Sequence, residues 1–203
     1  DLLSIPPLLM EKYLKAGEKI VEAAWSKDES RERILICSPK KKSEMKTCAR
    51  KIIKAFGLRA FRRPLTSSET AALVSLVELA VKNDDGFDKG IQLAVQAMLV
   101  SPHFLFRVEI DPKPDDPEAV RALNDYELAS RLSYFLWSSM PDDELFELAR
   151  TRSLRRRSVL EKQVERMLAD KRSQALVQTF AAHWLGIRTM KLVTPDEETF
   201  PDF

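Results

Sequence analysis

The sequence predicts an all-α fold, an irregular array of about eight helices in two lobes with no substantial sheet. Apolar residues recur three and four positions apart along most of the chain, as on one face of an amphipathic helix. Proline and short polar residues interrupt this repeat where helices are expected to begin. Only 5 of the 203 residues are glycine, which argues against a turn-rich β sandwich.

The composition is that of an ordinary folded protein, with 44% apolar and 32% charged residues. A chain of this length buries about 70% of its unfolded surface and needs no metal to hold it together. Lysine and arginine nearly balance the acids, 33 against 31, so we expect no nucleic-acid partner. The longest apolar run, Leu93–Val100, is shorter than the roughly 20 residues of a membrane span. We therefore expect a soluble chain.

The first part of the chain is predicted to contain two helices and a short extended segment. Ser4, Pro6 and Pro7 are predicted to open a helix that runs to about Trp25. Lys27–Glu32 is predicted to be a solvated linker, and Arg33–Cys37 has β-like character. A second helix is predicted from Ser43 to about Phe56. A lone strand cannot make a sheet, so the all-α prediction stands.

A capping box and a wholly apolar segment mark the next two helices. Thr66 and Glu69 have the spacing in which each side chain satisfies an amide of the first turn, and this helix is predicted to end near Asn83. Phe87–Val100 has almost no polar face, which is typical of a helix enclosed by others. We expect it at the centre of the core. The proline-rich segment Asp111–Pro117 is predicted to divide the two lobes.

The second lobe is predicted to open with two capped helices that meet at Pro141. Asn124 and Glu127 repeat the capping-box spacing. One apolar stripe follows, formed by Leu128, Leu132, Phe135 and Leu136. Two more apolar stripes, either side of a turn at Asp170–Ser173, predict two further helices.

Few residues suggest catalysis or metal binding. His103 and His183 are the two histidines, and each is interpreted as a packed or capping residue. The segment NDDGFD at 83–88 lacks two principal ligands of a calcium loop and is interpreted as a helix end and turn. Three acids from Asp142 to Glu144 could supply a carboxylate pair, but acids after a proline are also typical of a helix start.

Three further groups of residues leave alternatives open. Five arginines form either a solvated loop or an interaction surface for an anionic partner: Arg150, Arg152, Arg155, Arg156 and Arg157. Trp25, Trp137 and Trp184 could stack on sugars but are more typical of core residues whose indole nitrogen bonds a carbonyl. Cys37 and Cys48 could form a disulfide or remain two small apolar residues, and spacing alone does not decide.

Three stretches carry a family resemblance: LNDYELASRLSYFLWSSMPDDELFELA, FRRPLTSSE and SPHFLFRVE. Together they resemble planctomycete cytochrome-c-associated domain families of unknown function, over the stretch from Cys37 to Phe203. Leu3–Ala24 resembles the tail of the domain that usually precedes these. Such families form large exported proteins in which a c-type haem domain accompanies several helical domains. The chain itself lacks the CxxCH haem motif, and the family offers no catalytic residue to transfer.

The resemblance implies an exported location, periplasmic or on the cell surface. An oxidising compartment would favour the disulfide between Cys37 and Cys48. The chain would be the middle of a longer polypeptide, with neighbouring domains as its partners and covalent haem c in one of them, but no cofactor of its own. Residues 1–26 would be the tail of a preceding helical domain. Residues 33–110 would form the first lobe with both cysteines, and 118–203 a second lobe that continues further.

These expectations favour a non-catalytic structural and interaction domain of an exported, haem-associated multidomain protein. Two alternatives remain, and both involve polysaccharide. A polysaccharide-acting enzyme domain would need two carboxyl groups about 5 to 9.5 Å apart in a cleft. A glycan-binding module would need Trp137 or Trp184 on an open face.

Overall fold

The computed structural model describes residues 6–109, 113–116, 118 and 120–187. Helices and their connections make up this part of the chain, and no strand occurs in it. The all-α prediction is therefore confirmed, with ten α-helices in the described residues rather than about eight. The chain divides into two compact units, Asp1–Arg121 and Ala122–Phe203. Part of the proline-rich segment predicted as a linker, residues 111, 112 and 117, lies outside the described residues.

The described part of the first unit contains six helices. They are α1 (Pro7–Trp25), α2 (Asp28–Ile34), α3 (Lys42–Phe61), α4 (Ser67–Lys82), α5 (Phe87–Leu99) and α6 (Pro102–Leu105). In the described residues no helix is long and apolar enough to cross a bilayer.

Helix α2 lies where the sequence predicted a linker at Lys27–Glu32 and a β-like segment from Arg33. Both predictions are wrong. Asp28 and Glu29 occupy the first turn, where acids complement the positive end of the helix, and the arginines that pair with them come one turn later. Arg33 bonds Glu29 at 2.7 Å, an i, i+4 pair that supports a short helix. Charge pairing therefore extends the helix into a segment whose apolar residues are typical of a strand.

Helix α5 lies at the centre of the first core, as its apolar pattern predicts. Ile91, Ala94 and Met98 are fully buried. The helix packs against α1, α3, α4 and α6. The enclosure is incomplete, because Asp88, Lys89 and Leu93 of this helix are exposed to solvent.

The contact between α4 and α5 depends on a glycine. A Cβ atom built on Gly90 would lie 2.9 Å from the Cα atom and 3.1 Å from the carbonyl oxygen of Val77. Backbone atoms cannot move aside as a side chain can, so the two helices approach this closely only because residue 90 has no side chain. The capping box of Thr66 and Glu69, as predicted, fixes where α4 begins.

The second unit is built from shorter helices. They are α7 (Asp125–Trp137), α8 (Asp143–Arg150), α9 (Arg157–Ala169) and α10 (Ala182–Trp184), with a 3₁₀ turn at Lys171–Ser173 and a π-helix at Leu176–Ala181. The capping box of Asn124 and Glu127 is present as predicted. The core of the second unit includes Leu145, Leu154 and Met167, all fully buried.

The buried face of α7 matches the predicted stripe at Leu136, which is buried, but differs from it elsewhere. Ala129 and Ser133 are fully buried, whereas Phe135 is 55% exposed. Leu128 and Leu132 only flank the core. Small residues let neighbouring helices approach closely, so the helix turns its alanine and serine inward and leaves a phenylalanine outside.

Replacing Gly90 by alanine tests the close approach of α4 and α5. We expect Gly90→Ala to lower the free energy of unfolding of the first unit by about 1–3 kcal/mol, because overpacking outweighs the gain in helix propensity. Urea denaturation followed by circular dichroism measures the change. Lys89→Ala, at the exposed neighbouring position, is the matched control and should change stability by less than about 0.5 kcal/mol. Unchanged or higher stability of Gly90→Ala would show that the helices can separate without cost.

Candidate functional site

Cys37 and Cys48 form a disulfide, with the sulfur atoms 2.03 Å and the Cα atoms 5.9 Å apart. The bond joins the segment before α3 to the helix itself. Cys48 is 6% exposed and belongs to the first core. Disulfides are typical of proteins that work in oxidising compartments.

Arg62, in the FRRP segment, fastens the end of α3 to the end of α6. Its backbone adopts a left-handed conformation with φ of 57°, which ends the helix. Its side chain is buried and donates hydrogen bonds to the carbonyl oxygens of His103, Phe104 and Phe106. These carbonyls lie in α6 and at its end, where helices leave such groups unsatisfied. The buried charge is therefore stabilised by the negative end of a helix.

Arg63, Glu69 and His103 form a second polar cluster next to Arg62. The guanidinium of Arg63 donates two bonds to the carboxylate of Glu69, at 2.7 and 2.9 Å. The Nε2 atom of His103 lies 3.4 Å from the same carboxylate. The ring of Phe61 lies 5.2 Å from that of His103, which packs the histidine in place.

Glu69 is held in its ionised form. The hydrogen bonds from Arg63 are the largest cause that lowers its pKa to about 2, and the amide of Thr66, at 2.8 Å, adds to them against the effect of burial. A general acid or base at neutral pH needs a pKa near 7. The Glu69 cluster thus has the properties of a structural ion pair.

In the second unit the three acids after Pro141 begin a helix, which is one of the two interpretations that the sequence left open. Asp142 is the N-cap of α8 and accepts the amide N–H of Leu145 at 3.1 Å. Arg166 donates to both of its carboxylate oxygens, at 2.7 and 3.2 Å. Burial alone raises the pKa of Asp142, but the bonds from Arg166 and Leu145 outweigh it and lower the pKa overall. Asp142 is therefore ionised and paired.

The indole ring of Trp137 packs against Arg166 of this cluster. It is 3% exposed, and its indole N–H donates to the carbonyl of Met167 at 2.9 Å, as predicted for a core tryptophan. The guanidinium carbon of Arg172 lies 3.4 Å from the ring centroid and that of Arg166 lies 5.5 Å away. Two arginines thus lie over the indole ring, an arrangement stabilised by cation–π attraction.

The other two tryptophans differ from Trp137. Trp25 is half-buried, and its indole nitrogen has no hydrogen-bond partner in the described part of the chain. Trp184 is 76% exposed, so its prediction as a core residue is wrong. It stacks on Phe180, which in turn meets Phe135 edge to face. Its large π surface remains accessible on one side.

The predicted arginine surface proves to be mostly paired. Arg155 donates to Asp125, a carboxylate that is 4% exposed, and so ties the loop to the start of α7. Arg150 and Arg157 pair with glutamates on their own helices. Arg152 and Arg156 have no ion-pair partner among the residues that the structure describes. Most of the positive charge of this loop is therefore neutralised locally.

The remaining sequence motif, NDDGFD, connects two helices as predicted. Asn83 ends α4, and Gly86, with φ of 88°, directly precedes α5. Across residues 6–109, 113–116, 118 and 120–187, no group of three or more histidine, cysteine, aspartate or glutamate side chains could hold a metal ion. His183 lies in α10 and is exposed to solvent in a helix of three residues.

A strongly basic surface next to the disulfide was missed by the sequence reasoning. We call it the basic face, and it consists of exposed side chains from the loop before α3 and from α3 itself: Lys40, Lys41, Lys42, Lys46, Arg50, Lys51 and Lys54. Glu44 is the one acid between the first and last of them. The signal was present as a local run of charge, but the near-zero charge of the whole chain hid it.

Two family models match the chain. Residues 48–109, which include the Arg62 and Glu69 clusters, match PSD5, protein of unknown function (DUF1595). Residues 123–203, which include the Asp142 cluster, match PSD4, protein of unknown function (DUF1592). Both halves of the chain are thus similar to domains of unknown function. No curated protein matches the chain, and no solved structure does.

The ion pair of Glu69 predicts a specific loss of stability in acid. Because its pKa is about 2 in the folded state and 4.5 ordinarily, its contribution is complete above pH 4.5 and is lost as the pH falls towards 2. We expect Glu69→Gln to be less stable than the wild type by about 1–2 kcal/mol at pH 6, and the difference to shrink at pH 2.5. Urea denaturation at both pH values measures it.

The control uses the partner of this carboxylate. In an Arg63→Gln background the same Glu69→Gln change should produce a smaller difference at pH 6, because the strongest bond is already gone. A difference between Glu69→Gln and wild type that stays constant from pH 6 to pH 2.5 would contradict the lowered pKa.

Proposed function

We propose that the chain is a non-catalytic structural and interaction module of an exported multidomain protein that also carries a c-type haem domain. The observation that carries the proposal is the Cys37–Cys48 disulfide. A cross-link between two cysteines supports work in an oxidising compartment, periplasmic or on the cell surface. The similarity of both halves to domains of unknown function is compatible with this role and names no activity.

The pairing of the acidic side chains supports a role without catalysis. Glu69 and Asp142, the carboxylates of the two polar clusters, are both engaged by arginine and have lowered pKa values. A glycosidase needs one carboxylic acid that is protonated near neutral pH, next to a second carboxylate. Hydrogen bonds from arginine instead keep the carboxylates of Glu69 and Asp142 ionised. The polysaccharide-acting alternative therefore receives no support from these two groups.

The remaining parts of the proposal concern the whole polypeptide. We propose that residues 33–110 and 118–203 act as two helical lobes, that 1–26 is the tail of a preceding domain, and that neighbouring domains are the partners. Haem c would be bound by one of those neighbours. The arginine loop from Arg150 to Arg157 is proposed as a further contact surface, through Arg152 and Arg156, which lack ion-pair partners in the described residues.

Asp142→Asn distinguishes a structural role from a catalytic one. The amide still accepts the N–H of Leu145 but loses its charge opposite Arg166, so we expect the second unit to lose about 1–2 kcal/mol of stability. Turnover of polysaccharide by the longer protein should not change. Thermal denaturation and reducing-sugar release measure the two quantities, and Glu165→Gln, at an exposed position of α9, is the control. Loss of turnover with unchanged stability would favour the enzyme alternative.

Haem addition tests whether redox chemistry belongs to this chain or to a neighbour. The 203-residue chain is incubated with haem and passed through a desalting column, and a reduced-minus-oxidised spectrum is recorded. We expect a spectrum without haem bands, because the CxxCH motif is absent from the sequence. Stoichiometric haem uptake would overturn the placement of haem in a neighbouring domain.

A further inference from the structure

Helix α3 carries a concentration of positive charge that none of the proposed contacts uses. Seven of the 33 lysine and arginine residues fall between Lys40 and Lys54, so the remainder of the chain holds more acidic than basic residues. Uneven charge of this kind raises the local concentration of anions at one surface even when the net charge is near zero.

Most of these cations have no ion-pair partner in the part of the chain that the structure describes. Lys46 pairs with Glu78 of α4 at 2.9 Å, and both side chains are about half exposed. The carboxylate of Glu44 accepts the backbone N–H of Lys40, which orders the loop and leaves the lysine side chain outside. The other five, Lys41, Lys42, Arg50, Lys51 and Lys54, form no ion pair with any residue in the described part.

The arrangement of the cations suits a linear ligand. Lys42, Lys46, Arg50 and Lys54 are four residues apart, so they follow one ridge of the helix at intervals of about 6 Å and span about 18 Å. The disulfide closes the loop from Cys37 to Cys48 and holds Lys40 and Lys41 beside the start of that ridge. Charges held in a fixed row bind a repeating anion with less loss of side-chain and backbone freedom than charges on a mobile loop.

The surroundings of the basic face argue against a membrane or a protein as its partner. No large apolar side chain of α3 is exposed, so α3 itself offers nothing to insert into lipid. The exposed Ile36 and Leu79 lie before the disulfide and in α4. The cavity of about 170 Å³ between α3 and α4 is lined by Lys42, Lys46 and Glu78 beside apolar residues, whereas the cores of protein interfaces are depleted of charged side chains. Charge is therefore the main basis for recognition at this surface.

We propose that the basic face of α3 binds an anionic polysaccharide, a linear polymer that bears sulfate or carboxylate groups. The inference rests on the proposed function, because a chain outside the cytosol meets extracellular polyanions rather than nucleic acid. The inference names the surface through which that interaction module binds and the chemical class of its ligand. Binding is electrostatic, and it weakens as salt screens the charges.

A matched pair of triple variants tests this surface. Lys42→Gln/Arg50→Gln/Lys54→Gln removes three cations of the ridge, and Lys12→Gln/Lys15→Gln/Lys19→Gln removes three exposed cations from α1, so both lose the same charge. Affinity for dextran sulfate, with neutral dextran as the blank, is measured by titration calorimetry at 50, 150 and 300 mM NaCl. Circular dichroism checks that each variant is folded.

We expect the wild type to bind dextran sulfate and not dextran, with affinity falling as salt rises. The ridge variant should lose affinity on the order of tenfold, as three surface ion pairs allow, and the α1 variant less than about twofold. Equal losses in both variants would mean that net charge alone acts and would overturn the assignment. Absence of binding at 150 mM NaCl would overturn it as well.

Two further probes separate other polyanions and the proposed function itself. Binding to vesicles with 30% anionic phospholipid, or to duplex DNA, without binding to dextran sulfate would overturn the polysaccharide assignment in favour of that partner. If dextran sulfate fails to bind while the haem spectrum stays without bands, the proposed function stands and this inference alone fails. Haem uptake would overturn the proposed function. Binding of dextran sulfate through the ridge would still support the basic face as a polyanion site, and its absence would overturn that site too.

Discussion

Arginine side chains that bond backbone or side-chain groups at helix ends link helices to one another in both units. An array of short helices has many ends, and each end leaves backbone groups without partners inside the helix. In the first unit Arg62 donates to three carbonyls in and beyond α6. In the second, Arg166 engages Asp142, which itself caps α8. Helices that are too short to be stable alone are thereby fixed to one another.

The same interaction accounts for the chemical character of the chain. Glu69 and Asp142 are held as carboxylates by arginine, and Trp137 is covered by Arg166 and Arg172. Side chains that elsewhere act as acids, bases or sugar-stacking platforms are here used for packing. The accessible surfaces include the charge on α3, the side chains of Arg152 and Arg156, and an aromatic surface at Trp184. Accessible surfaces of this kind suit binding, which is why an interaction module is the function that we propose.

The Cys37–Cys48 disulfide stabilises the first unit and lies next to the basic face. It closes a loop of ten residues between Cys37 and Cys48, and such a loop contributes about 3 kcal/mol in the chain-entropy treatment. The loop carries Lys40, Lys41 and Lys42, so the bond that stabilises the first unit also orders part of the basic face.

Local chemistry was readable from the sequence, and contacts between distant residues were not. The capping boxes at Thr66 and Asn124 and the burial of α5 follow from residues within one or two helical turns, so the sequence alone determined them. Spacing could not tell that α7 buries Ala129 and exposes Phe135, because that choice depends on the neighbouring helices. Arg62 meets its carbonyl partners more than forty residues along the chain, and only the tertiary structure brings them together. Helix formation is governed by hydrogen bonds over four residues, whereas the packed face and the partner of each charge are set by long-range geometry.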